Sequence, residues 1–443
     1  MPSLKERVKR FIPASILNGY HFTLANLASW AYRHPSRELI VIGVTGTNGK
    51  TTTCYAIAKA LEASGQKTGC TTTAILKIGE KEWLNNTKMT MPGRFFLQRM
   101  LRQMVSAGCR YAVIETSSQG LVQHRQLGIR YDLAVFTNLT PEHIEAHGGF
   151  ENYRAAKRRL FEHLVILPAK YVRGERVPRA AILNADSDQA EYFAATPGLQ
   201  NIHWYGVGEG AGLRAKHLEL LPNGSRSEVN GYSMQLSMPG RYNVENMLAA
   251  LTVCQVLGVS LEGAIKRLEK IQGLPGRFER VNLGQPWTVI IDYAPEPESL
   301  RQFYGALNSV PHKRLIHVLG SCGGGRDVAR RPILGKMAAE KADIVIVTNE
   351  DPYDDDPQQI IDQVAAGAIA AGKQKGQTLL MIMDRREAIA QAMRLAGPED
   401  LVIMTGKGCE TWMCVANDEK LPWSEREAAE AGIRAAWQPT NPF

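Results

Sequence analysis

The sequence contains few of the features that mark a secreted or membrane-spanning protein. Its seven cysteines are odd in number and irregularly spaced, and none belongs to a Cys-x-x-Cys pair. This pattern argues against a disulfide framework and against a zinc ribbon. No apolar run approaches the roughly 20 residues of a spanning helix, and the N-terminus lacks the apolar centre of a signal peptide. We therefore expect a cytoplasmic chain without stable membrane insertion.

The overall composition is that of a globular protein with several domains. Hydrophobic residues make up 44% and charged residues 22% of the 443 residues, which excludes disordered, collagen-like and coiled-coil classes. A chain of this length predicts two to four domains. The net charge is +8, and residues 1–37 hold six basic side chains against one acidic side chain. A basic balance of this kind indicates nucleic acid, an acidic membrane or a small anion as partner.

Short apolar runs alternate with helical patterns after residue 38. This alternation predicts an α/β fold in which helices cover both faces of a mainly parallel sheet. Residues 201–238 differ, and their short segments and polar turns predict a small antiparallel patch. The predicted strands are Leu39–Val44, Tyr111–Ile114, Leu133–Phe136, Ala180–Leu183, Thr288–Ile291, Leu315–Leu319, Ile344–Val347, Leu379–Met383 and Leu401–Met404. The predicted helices include Thr51–Ser64, Arg94–Ala107, Phe150–Leu164 and Asn243–Leu257.

The segment Gly273-Leu-Pro-Gly-Arg277 interrupts the alternation. Glycine and proline in this density mark a turn or linker, so we place a domain boundary there. The predicted organisation is a short basic N-terminal segment at 1–37, a central domain at 38–272 and a C-terminal domain at 273–443. Residues 1–37 are too few for a domain, and they predict two amphipathic helical pieces around Pro13.

The strongest chemical signal is the run Ile42-Gly-Val-Thr-Gly-Thr-Asn-Gly-Lys-Thr51, in which a strand leads through glycines into a helix. Gly46 and Gly49 let the backbone approach a phosphate closely, and the amides at the start of the helix point at the anion. Lys50 adds positive charge at the β- and γ-phosphates, and the Thr51 hydroxyl suits Mg²⁺. The simpler alternative is a glycine-rich turn that binds nothing. This alternative is disfavoured because strand, loop and helix follow one another in the order that the phosphate-binding motif requires.

Several further motifs follow this loop, and together they resemble the Mur ligase family, most closely the members that add the third residue of the peptidoglycan stem peptide. The resemblance covers about residues 38–443. It rests on the following motifs in addition to the loop: Glu115-Thr-Ser-Ser118, Thr137-Asn-Leu-Thr140 with His143, Tyr153-x-x-x-Lys157, Asn243-x-x-Asn246, Pro275-Gly-Arg277, Asp292-Tyr-Ala294, Gly323-Gly-Gly-Arg-Asp327 and Gly406-Lys-Gly408.

The resemblance implies an ATP- and Mg²⁺-dependent ligase with a P-loop-type central domain and a Rossmann-like C-terminal domain. In the family, ATP converts a carboxylate into an acyl phosphate, an amine attacks it, and phosphate leaves. The extra negative charge of the transition states requires cations and oriented amides. The implied partners are an amino acid and a UDP-muramoyl-dipeptide-like acceptor, without nucleic acid, and the implied state is a monomer.

The resemblance also assigns site residues. The implied catalytic residues are Lys50, Glu115, His143 and Lys157. The nucleotide-binding residues are Gly46, Thr47, Asn48, Gly49, Lys50, Thr51, Thr52, Asn246, Arg277 and Asp292. Mg²⁺ would be held by Thr51, Glu115, His143 and Lys157, the last as a carbamate. The substrate residues are Thr72, Thr73, Ser117, Ser118, Arg125, Arg326, Asp351 and Glu410. From the residues alone, Glu115 could be a solvated strand-end acid and Lys157 part of a solvated basic face.

The sequence departs from the family pattern in its N-terminal region. Third-residue-adding members carry a UDP-binding domain of about a hundred residues there, whereas about 37 residues precede the loop strand in this chain. Either a UDP-sugar binds differently, or the acceptor is another anion such as a lipid-linked muropeptide or a polyglutamate-type molecule. The basic segment could compensate, touch a membrane as an interfacial helix, or pack on the central domain as a solvated helix.

Further departures affect the C-terminal domain. Diaminopimelate-adding members show Asp-Asn-Pro-Arg, whose arginine holds the distal carboxylate, where this chain has Glu350-Asp-Pro-Tyr353. The acidic neighbours would suit a cationic side chain such as that of lysine. Cys409 and Pro295 stand where the family has histidines, and Gln119 replaces another. A rival interpretation from another class is a non-catalytic, nucleotide-binding subunit of an amidotransferase complex.

Overall fold

The computed structural model describes residues 14–141 and 147–437. His143 and the basic residues of the first 13 positions therefore lie outside the described residues. None of the helices among the described residues combines the length and the apolar character that crossing a membrane requires.

The first part of the chain forms one large sheet with helices on both faces. The strands are β1 Ile40–Thr45, β2 Thr68–Thr71, β3 Ile75–Ile78, β4 Lys81–Leu84, β5 Tyr111–Glu115, β6 Leu133–Phe136, β7 Tyr171–Val172, β8 Glu175–Arg176, β9 Ala180–Asn184, β10 Ile202–Gly206, β11 Leu213–Leu221, β12 Gly224–Val229 and β13 Tyr232–Leu236. The helices are α1 Ala14–Ala31, α2 Lys50–Leu61, α3 Arg94–Ser106, α4 Ser118–Val122, α5 Phe150–Ile166, α6 Ala190–Ala194, α7 Arg241–Val256 and α8 Leu261–Leu268.

The order of the strands in this sheet is β13-β12-β11-β10-β9-β6-β1-β5-β2-β3-β4, and β7 and β8 form a separate hairpin. The pairs from β11 to β2 are parallel, whereas the pairs at both edges are antiparallel. Strand β1 lies between β5 and β6. Because parallel strands present their carboxyl ends at one edge, the ends of β1, β5 and β6 meet there.

Alternate residues of β1 pack on opposite faces of the sheet. Ile40, Ile42 and Val44 belong to one buried cluster together with residues of α2 and α7, whereas Val41 belongs to another with residues of α3 and α5. A strand that is buried on both faces requires a continuous apolar sequence, and β1 is buried along its whole length. The position of the loop that follows β1 is therefore fixed by two cores.

A second sheet follows residue 276. Its strands are β14 Glu279–Arg280, β15 Thr288–Ile291, β16 Leu315–Leu319, β17 Ile344–Thr348, β18 Leu379–Ile382 and β19 Leu401–Met404, in the order β14-β15-β19-β16-β17-β18. A hairpin consists of β20 Trp412–Cys414 and β21 Lys420–Pro422. The helices are α9 Pro297–Leu307, α10 Arg330–Lys341, α11 Pro357–Ala370, α12 Arg385–Leu395 and α13 Glu425–Ala436. All neighbouring pairs except β14–β15 are parallel.

The α/β class with a mainly parallel sheet is confirmed, and the antiparallel patch predicted within 201–238 corresponds to β11–β13. The predicted ends of the elements differ from the observed ends by a few residues, and β1 and β5 each extend one residue further, to Thr45 and Glu115. The antiparallel strands β3 and β4 were not expected. Their short sequence has no long alternating pattern, and β4 is exposed throughout.

Candidate active site

The loop after β1 has the backbone conformation that its glycines predict. Gly46 and Gly49 have φ values of 150° and 79°, in the region that favours glycine. A Cβ atom on Gly46 would lie 1.9 Å from Thr137 Oγ1, and one on Gly49 would lie 2.3 Å from Asn246 Oδ1. Both positions therefore exclude a side chain on two grounds, backbone strain and space.

Residues that follow β6 hold the loop from behind. The Asn48 amide donates to Asn138 Oδ1 at 2.9 Å, and Thr137 Oγ1 donates to the Asn48 carbonyl at 2.7 Å. The Thr47 hydroxyl lies 3.1 Å from the Tyr153 hydroxyl. The loop is thus fixed by hydrogen bonds from two neighbouring elements before any ligand binds.

Glu115, the last residue of β5, faces the start of α2. Its Oε2 accepts a hydrogen bond from Thr51 Oγ1 at 2.9 Å and another from the Thr73 amide at 2.7 Å. Its Oε1 accepts from the Thr73 hydroxyl at 3.0 Å. A carboxylate that is 2% exposed needs such partners, because an unpaired buried charge is costly. The solvated strand-end alternative for Glu115 does not fit this burial.

Lys157 reaches the same loop from α5. Its Nζ donates to the Gly46 carbonyl at 2.6 Å and lies 4.4 Å from the centre of the Tyr153 ring. The side chain is buried, with 2% of its surface exposed. The alternative in which Lys157 belongs to a solvated basic face is therefore wrong. The position of its amine behind the loop is a consequence of the packing of α5 on the sheet.

The cleft in front of the loop is shared between the two sheets. It is lined by nine of the ten predicted nucleotide residues, by Glu115 and by four predicted substrate residues. These are Thr47, Asn48, Gly49, Lys50, Thr51, Thr52, Asn246, Arg277 and Asp292, together with Glu115, Thr73, Arg326, Asp351 and Glu410. Parts of the chain that are far apart in sequence thus face one space.

Asp292 and Arg277 lie on the far side of this cleft. Asp292 is buried and accepts hydrogen bonds from the Phe278 amide at 2.7 Å and the Ala294 amide at 3.0 Å. Burial raises the pKa of Asp292 above its usual value, although Arg277 and the backbone amides oppose this shift. The Arg277 guanidinium stacks 4.5 Å from the centre of the Tyr293 ring, which presents a flat cation beside an aromatic surface.

Four predicted substrate residues do not line the cleft. Ser117 caps α4 by accepting from the Gly120 amide at 3.1 Å, and Ser118 Oγ lies 3.1 Å from His147 Nε2. Thr72 closes a turn with Ile75 at 2.7 and 2.8 Å. Arg125 donates to Gln123 Oε1 at 2.7 Å and to the Met91 carbonyl. These polar groups are engaged in local structure beside the cleft.

Two carboxylates and two ammonium groups meet where the sheets face each other. Lys88 Nζ lies 2.7 Å from Asp351 Oδ2 and 3.0 Å from Glu410 Oε2. Lys407 Nζ lies 3.0 Å from both oxygens of Asp351 and 2.7 Å from Glu410 Oε2. The four formal charges of this cluster sum to zero.

The pKa shifts in this cluster follow from its charges. Burial acts to lower the pKa of Lys88, but Glu410 and Asp351 outweigh burial and raise it. Burial acts to raise the pKa of Asp351, but Lys407 and Lys88 hold it below its usual value. Lys88 and Asp351 are therefore kept in their charged forms.

The acidic run after Pro352 does not face this cluster. Asp355 pairs with Arg331 at 3.1 Å, and Asp356 caps α11 by accepting from the Gln358 amide at 2.9 Å. Asp354 accepts from the Asn417 amide at 2.9 Å. Any recognition of a cation by this segment therefore falls to Asp351 alone, with Glu410 as its neighbour.

Sequence reasoning missed Lys88 as a site residue. It lies between β4 and α3 with a φ of 55° and belongs to no motif, so no sequence signal pointed to it. Tyr242 and Gln302 also line the cleft and were not singled out, and Glu350, which lines it too, was quoted only as part of Glu350-Asp-Pro-Tyr353. Lys407 stands inside the quoted Gly406-Lys-Gly408 motif and could have been found there.

Oxygen donors suited to Mg²⁺ are present beside the loop. The Thr51 hydroxyl and the Glu115 carboxylate lie 2.9 Å apart, and hard oxygen ligands are those that Mg²⁺ prefers. Among residues 14–141 and 147–437, no group of three or more His, Cys, Asp or Glu side chains forms a metal site by itself. In proteins Mg²⁺ usually binds through one or two carboxylates together with substrate phosphates and water, and Glu115 is the carboxylate beside this loop.

The chain is similar to known proteins over nearly its whole length. Residues 44–254 match the Mur ligase middle domain, and residues 276–408 match the Mur ligase, glutamate ligase domain. The chain is 40% identical over 427 residues to a UDP-N-acetylmuramyl-tripeptide synthetase of Roseiflexus sp., covering 95% of this chain and 83% of that protein. It is 36% identical to a UDP-N-acetylmuramoyl-L-alanyl-D-glutamate–2,6-diaminopimelate ligase of Geobacillus kaustophilus, with 96% and 84% covered. A solved structure of a ligase with that same name is 28% identical, with a TM-score of 0.60 over 92% of this chain and 82% of that chain.

Proposed function

The chain belongs to the Mur ligase family, whose members are ATP-dependent ligases that form peptide bonds in peptidoglycan precursor synthesis, and we propose how this chain performs such a reaction. It joins an amino acid to the free carboxylate of a muramoyl-dipeptide-like acceptor, with ADP and phosphate as products. The observation that supports this most is that residues Thr47–Thr51 of the loop after β1 line one cleft together with Glu115, Arg277 and Asp292.

The loop Gly46–Thr51 binds the β- and γ-phosphates of ATP in this proposal. Backbone amides at the start of α2 donate to the phosphate oxygens, because the first amides of a helix have no partner within the helix. Lys50 Nζ donates to the Thr47 carbonyl at 2.6 Å, and it would exchange this partner for phosphate oxygens. Asn246, Arg277 and Asp292 hold the rest of the nucleotide from the opposite side of the cleft.

Thr51 and Glu115 would hold Mg²⁺, together with His143 and a carbamate on Lys157. When bound, Mg²⁺ offsets the negative charge that develops as the γ-phosphoryl group is transferred to the acceptor carboxylate. Thr73 fixes the Glu115 carboxylate through two hydrogen bonds, so that this ligand needs little reorientation. The Lys157 amine contacts the carbonyl of Gly46, at the start of the same loop.

The acceptor carboxylate enters the cleft at Thr73, with Arg326 on the opposite side. The rest of the acceptor follows the surface beside the cleft at Ser117, Ser118 and Arg125, whereas Thr72 is fully buried and supports this side of the cleft through its turn with Ile75. The amino acid enters beside Asp351 and Glu410, whose charges suit a distal ammonium group such as that of lysine. Closure of the domains at 38–272 and 273–443 around the substrates assembles the site, because the proposed residues lie on both sides of residue 273.

The experiment is phosphate release by the purified protein with ATP, Mg²⁺, an acceptor and a panel of amino acids. The acceptors are a UDP-linked muramoyl dipeptide, a lipid-linked muropeptide and a folate glutamate. Turnover that requires both an amino acid and one muramoyl acceptor supports the proposal and identifies the carrier group. Turnover with the folate alone favours a polyglutamate-type ligase, and no amino-acid-dependent turnover with any acceptor favours a non-catalytic subunit.

The amino acid is tested in the same assay. We expect lysine to be used in preference to diaminopimelate, because Tyr353 cannot form the bidentate ion pair that a distal carboxylate requires. The reverse preference would overturn this part of the proposal and leave the ligase reaction intact.

A further inference from the structure

Helix α1 turns its large apolar side chains to solvent and its small side chains to the protein. Ile16, Tyr20, Leu27 and Trp30 are between 47% and 70% exposed. Their spacing of four, seven and three residues places them on one stripe of the helix. The opposite face packs on the protein through residues that include Ala25, Ala28 and Ser29, which are buried.

The orientation of α1 is fixed by close packing and hydrogen bonds. Ser29 Oγ donates to the Gly128 carbonyl at 2.9 Å, and a Cβ atom on Gly128 would lie 2.8 Å from Ser29 Cβ. Beyond the end of α1, Arg102 of α3 donates to the carbonyls of Tyr32 and Arg33 at 3.0 and 2.9 Å. A rotation of α1 about its axis that buried these four side chains would break these contacts. The contacts therefore keep the four side chains at the surface.

The segments that surround this stripe carry charge of one sign. Among the described residues, the segments 14–37, 94–110 and 116–131 contain eight arginines and no aspartate or glutamate. Arg102 and Arg110 pair with Glu38 and Glu175, which lie outside these segments. Since the whole chain has a net charge of +8, the rest of the chain is neutral overall. The fold brings these segments together, because α1 packs on α3 and on Gly128. The molecule therefore has a positive pole centred on the apolar stripe.

Several cations at this pole have no carboxylate partner. Among the described residues, no carboxylate lies within ion-pair distance of Arg94, Arg99 or Arg159. His124 lies among them, and burial followed by the charges of Arg159 and Arg94 lowers its pKa. Like charges held together without acids indicate a surface that binds an anionic partner.

We propose that the α1 stripe, defined as Ile16, Tyr20, Leu27 and Trp30, and the arginines around it form a docking surface for an anionic phospholipid bilayer. Tryptophan and tyrosine prefer the headgroup region, and an apolar stripe flanked by cations is typical of a helix that lies in the membrane interface. A second copy of this chain does not fit as the occupant, because its own copy of the surface would carry the same positive charge.

The docking surface adjoins the proposed acceptor residues. Arg94, at the start of α3, donates through Nη2 to the carbonyl of Gln123, and Gln123 directly follows the α4 helix that Ser117 caps. Docking would thus bring the side of the cleft near Ser117 to the lipid surface. An acceptor that is attached to a membrane lipid could bind there. This last step rests on the proposed function, whereas docking itself does not.

The experiment is flotation of the full chain with vesicles of equimolar phosphatidylglycerol and phosphatidylcholine, and with vesicles of phosphatidylcholine alone. We expect binding to the anionic vesicles, and we expect this binding to weaken as salt rises above about 0.1 M. The double variant Leu27→Ser/Trp30→Ser should bind about tenfold more weakly. The matched control Tyr232→Ser/Ile369→Ser also removes two partly exposed apolar side chains, of 41% and 50% exposure, and should bind like the unmodified protein.

A second variant tests the charge without touching the apolar stripe. Arg99→Gln, on the exposed face of α3, should weaken binding to anionic vesicles and leave ATP turnover unchanged. Equal binding to both kinds of vesicle, or no binding to either, would overturn the proposal. It would also be overturned if the protein formed dimers that Leu27→Ser/Trp30→Ser abolished, because a second copy would then cover the stripe.

Discussion

At the residue scale, the proposed phosphate-binding loop, Gly46–Thr51, is held by hydrogen bonds of individual side chains. Lys50 opens α2 and already points back at the Thr47 carbonyl, while Glu115 and Thr51 face each other at 2.9 Å. Each of these side chains thus has a hydrogen-bond partner within the protein. Substitution at this scale should therefore change chemistry far more than stability.

The first prediction concerns Lys50. Lys50→Ala removes the cation proposed for the β- and γ-phosphates, so phosphate release should fall by about a hundredfold or more. The exposed Lys266→Ala, in α8, is the matched control and should keep normal turnover. Near-normal turnover of Lys50→Ala would contradict the role of the loop as a phosphate cradle.

The second prediction concerns Lys157. Lys157→Ala should be inactive, and a small added carboxylic acid should restore part of the activity if a carbamate normally supplies the carboxylate. The measurement is phosphate release with and without acetate, with Lys50→Ala as a variant that acetate should not rescue. Equal activity of Lys157→Ala in both conditions would leave only the observed hydrogen bond to the Gly46 carbonyl as the function of Lys157.

At the element scale, a fully buried ion pair links two helices of the C-terminal part of the chain, α12 and α13. Arg385 at the start of α12 and Glu425 at the start of α13 have no exposed side-chain surface. Arg385 Nη2 also donates to the Thr405 carbonyl at 2.8 Å, and Trp423 Nε1 donates to Glu425 Oε2 at 2.9 Å. Both charges in this arrangement have a partner, and the removal of one charge leaves the other buried without its ion-pair partner.

The third prediction follows from this pair. Glu425→Gln should lower the free energy of unfolding by about 3–5 kcal/mol, because it leaves Arg385 buried without its counter-charge. Glu387→Gln, which breaks the exposed pair with Arg394, should cost no more than about 1 kcal/mol. Denaturant unfolding measures both values. Similar small losses for the two variants would show that Arg385 is compensated by the carbonyls around it.

At the scale of the whole molecule, the two sheets are joined across the cleft by Lys88. This residue comes from the first sheet and lies within ion-pair distance of Asp351 and Glu410 from the second. Its ammonium group occupies the place that we propose for the distal ammonium group of the amino acid. Lys88 and the substrate would therefore compete for the same two carboxylates as the domains open and close.

The fourth prediction tests this competition. Lys88→Met leaves Asp351 and Glu410 with Lys407 alone, so the KM for lysine should fall on the order of tenfold, since hydrogen bonds between charged groups contribute about 1.5–3 kcal/mol. The KM for ATP should change little, and the exposed Lys313→Met provides the control. A higher KM for lysine in Lys88→Met would mean that Lys88 assists amino-acid binding rather than competing with it.

The sequence alone determined the α/β class and the form of the phosphate loop. Both follow from the residue types that a short segment of the chain needs in order to adopt its structure. A strand buried on two faces needs the continuous apolar run of Ile40–Thr45, and a loop with positive φ values and no space for Cβ atoms needs Gly46 and Gly49. Together with the later motifs, these residues also predicted most of the cleft, including Arg277, Asp292 and Glu410.

Only the tertiary structure decided which charges meet and which apolar faces remain uncovered. Lys88 and Asp351 are 263 positions apart, and no local pattern encodes a contact over that distance. The outward orientation of Trp30 depends likewise on the packing of Ser29 against Gly128. Such contacts form when elements that are distant in sequence pack against each other. The local sequence of either element does not show which residues will then meet.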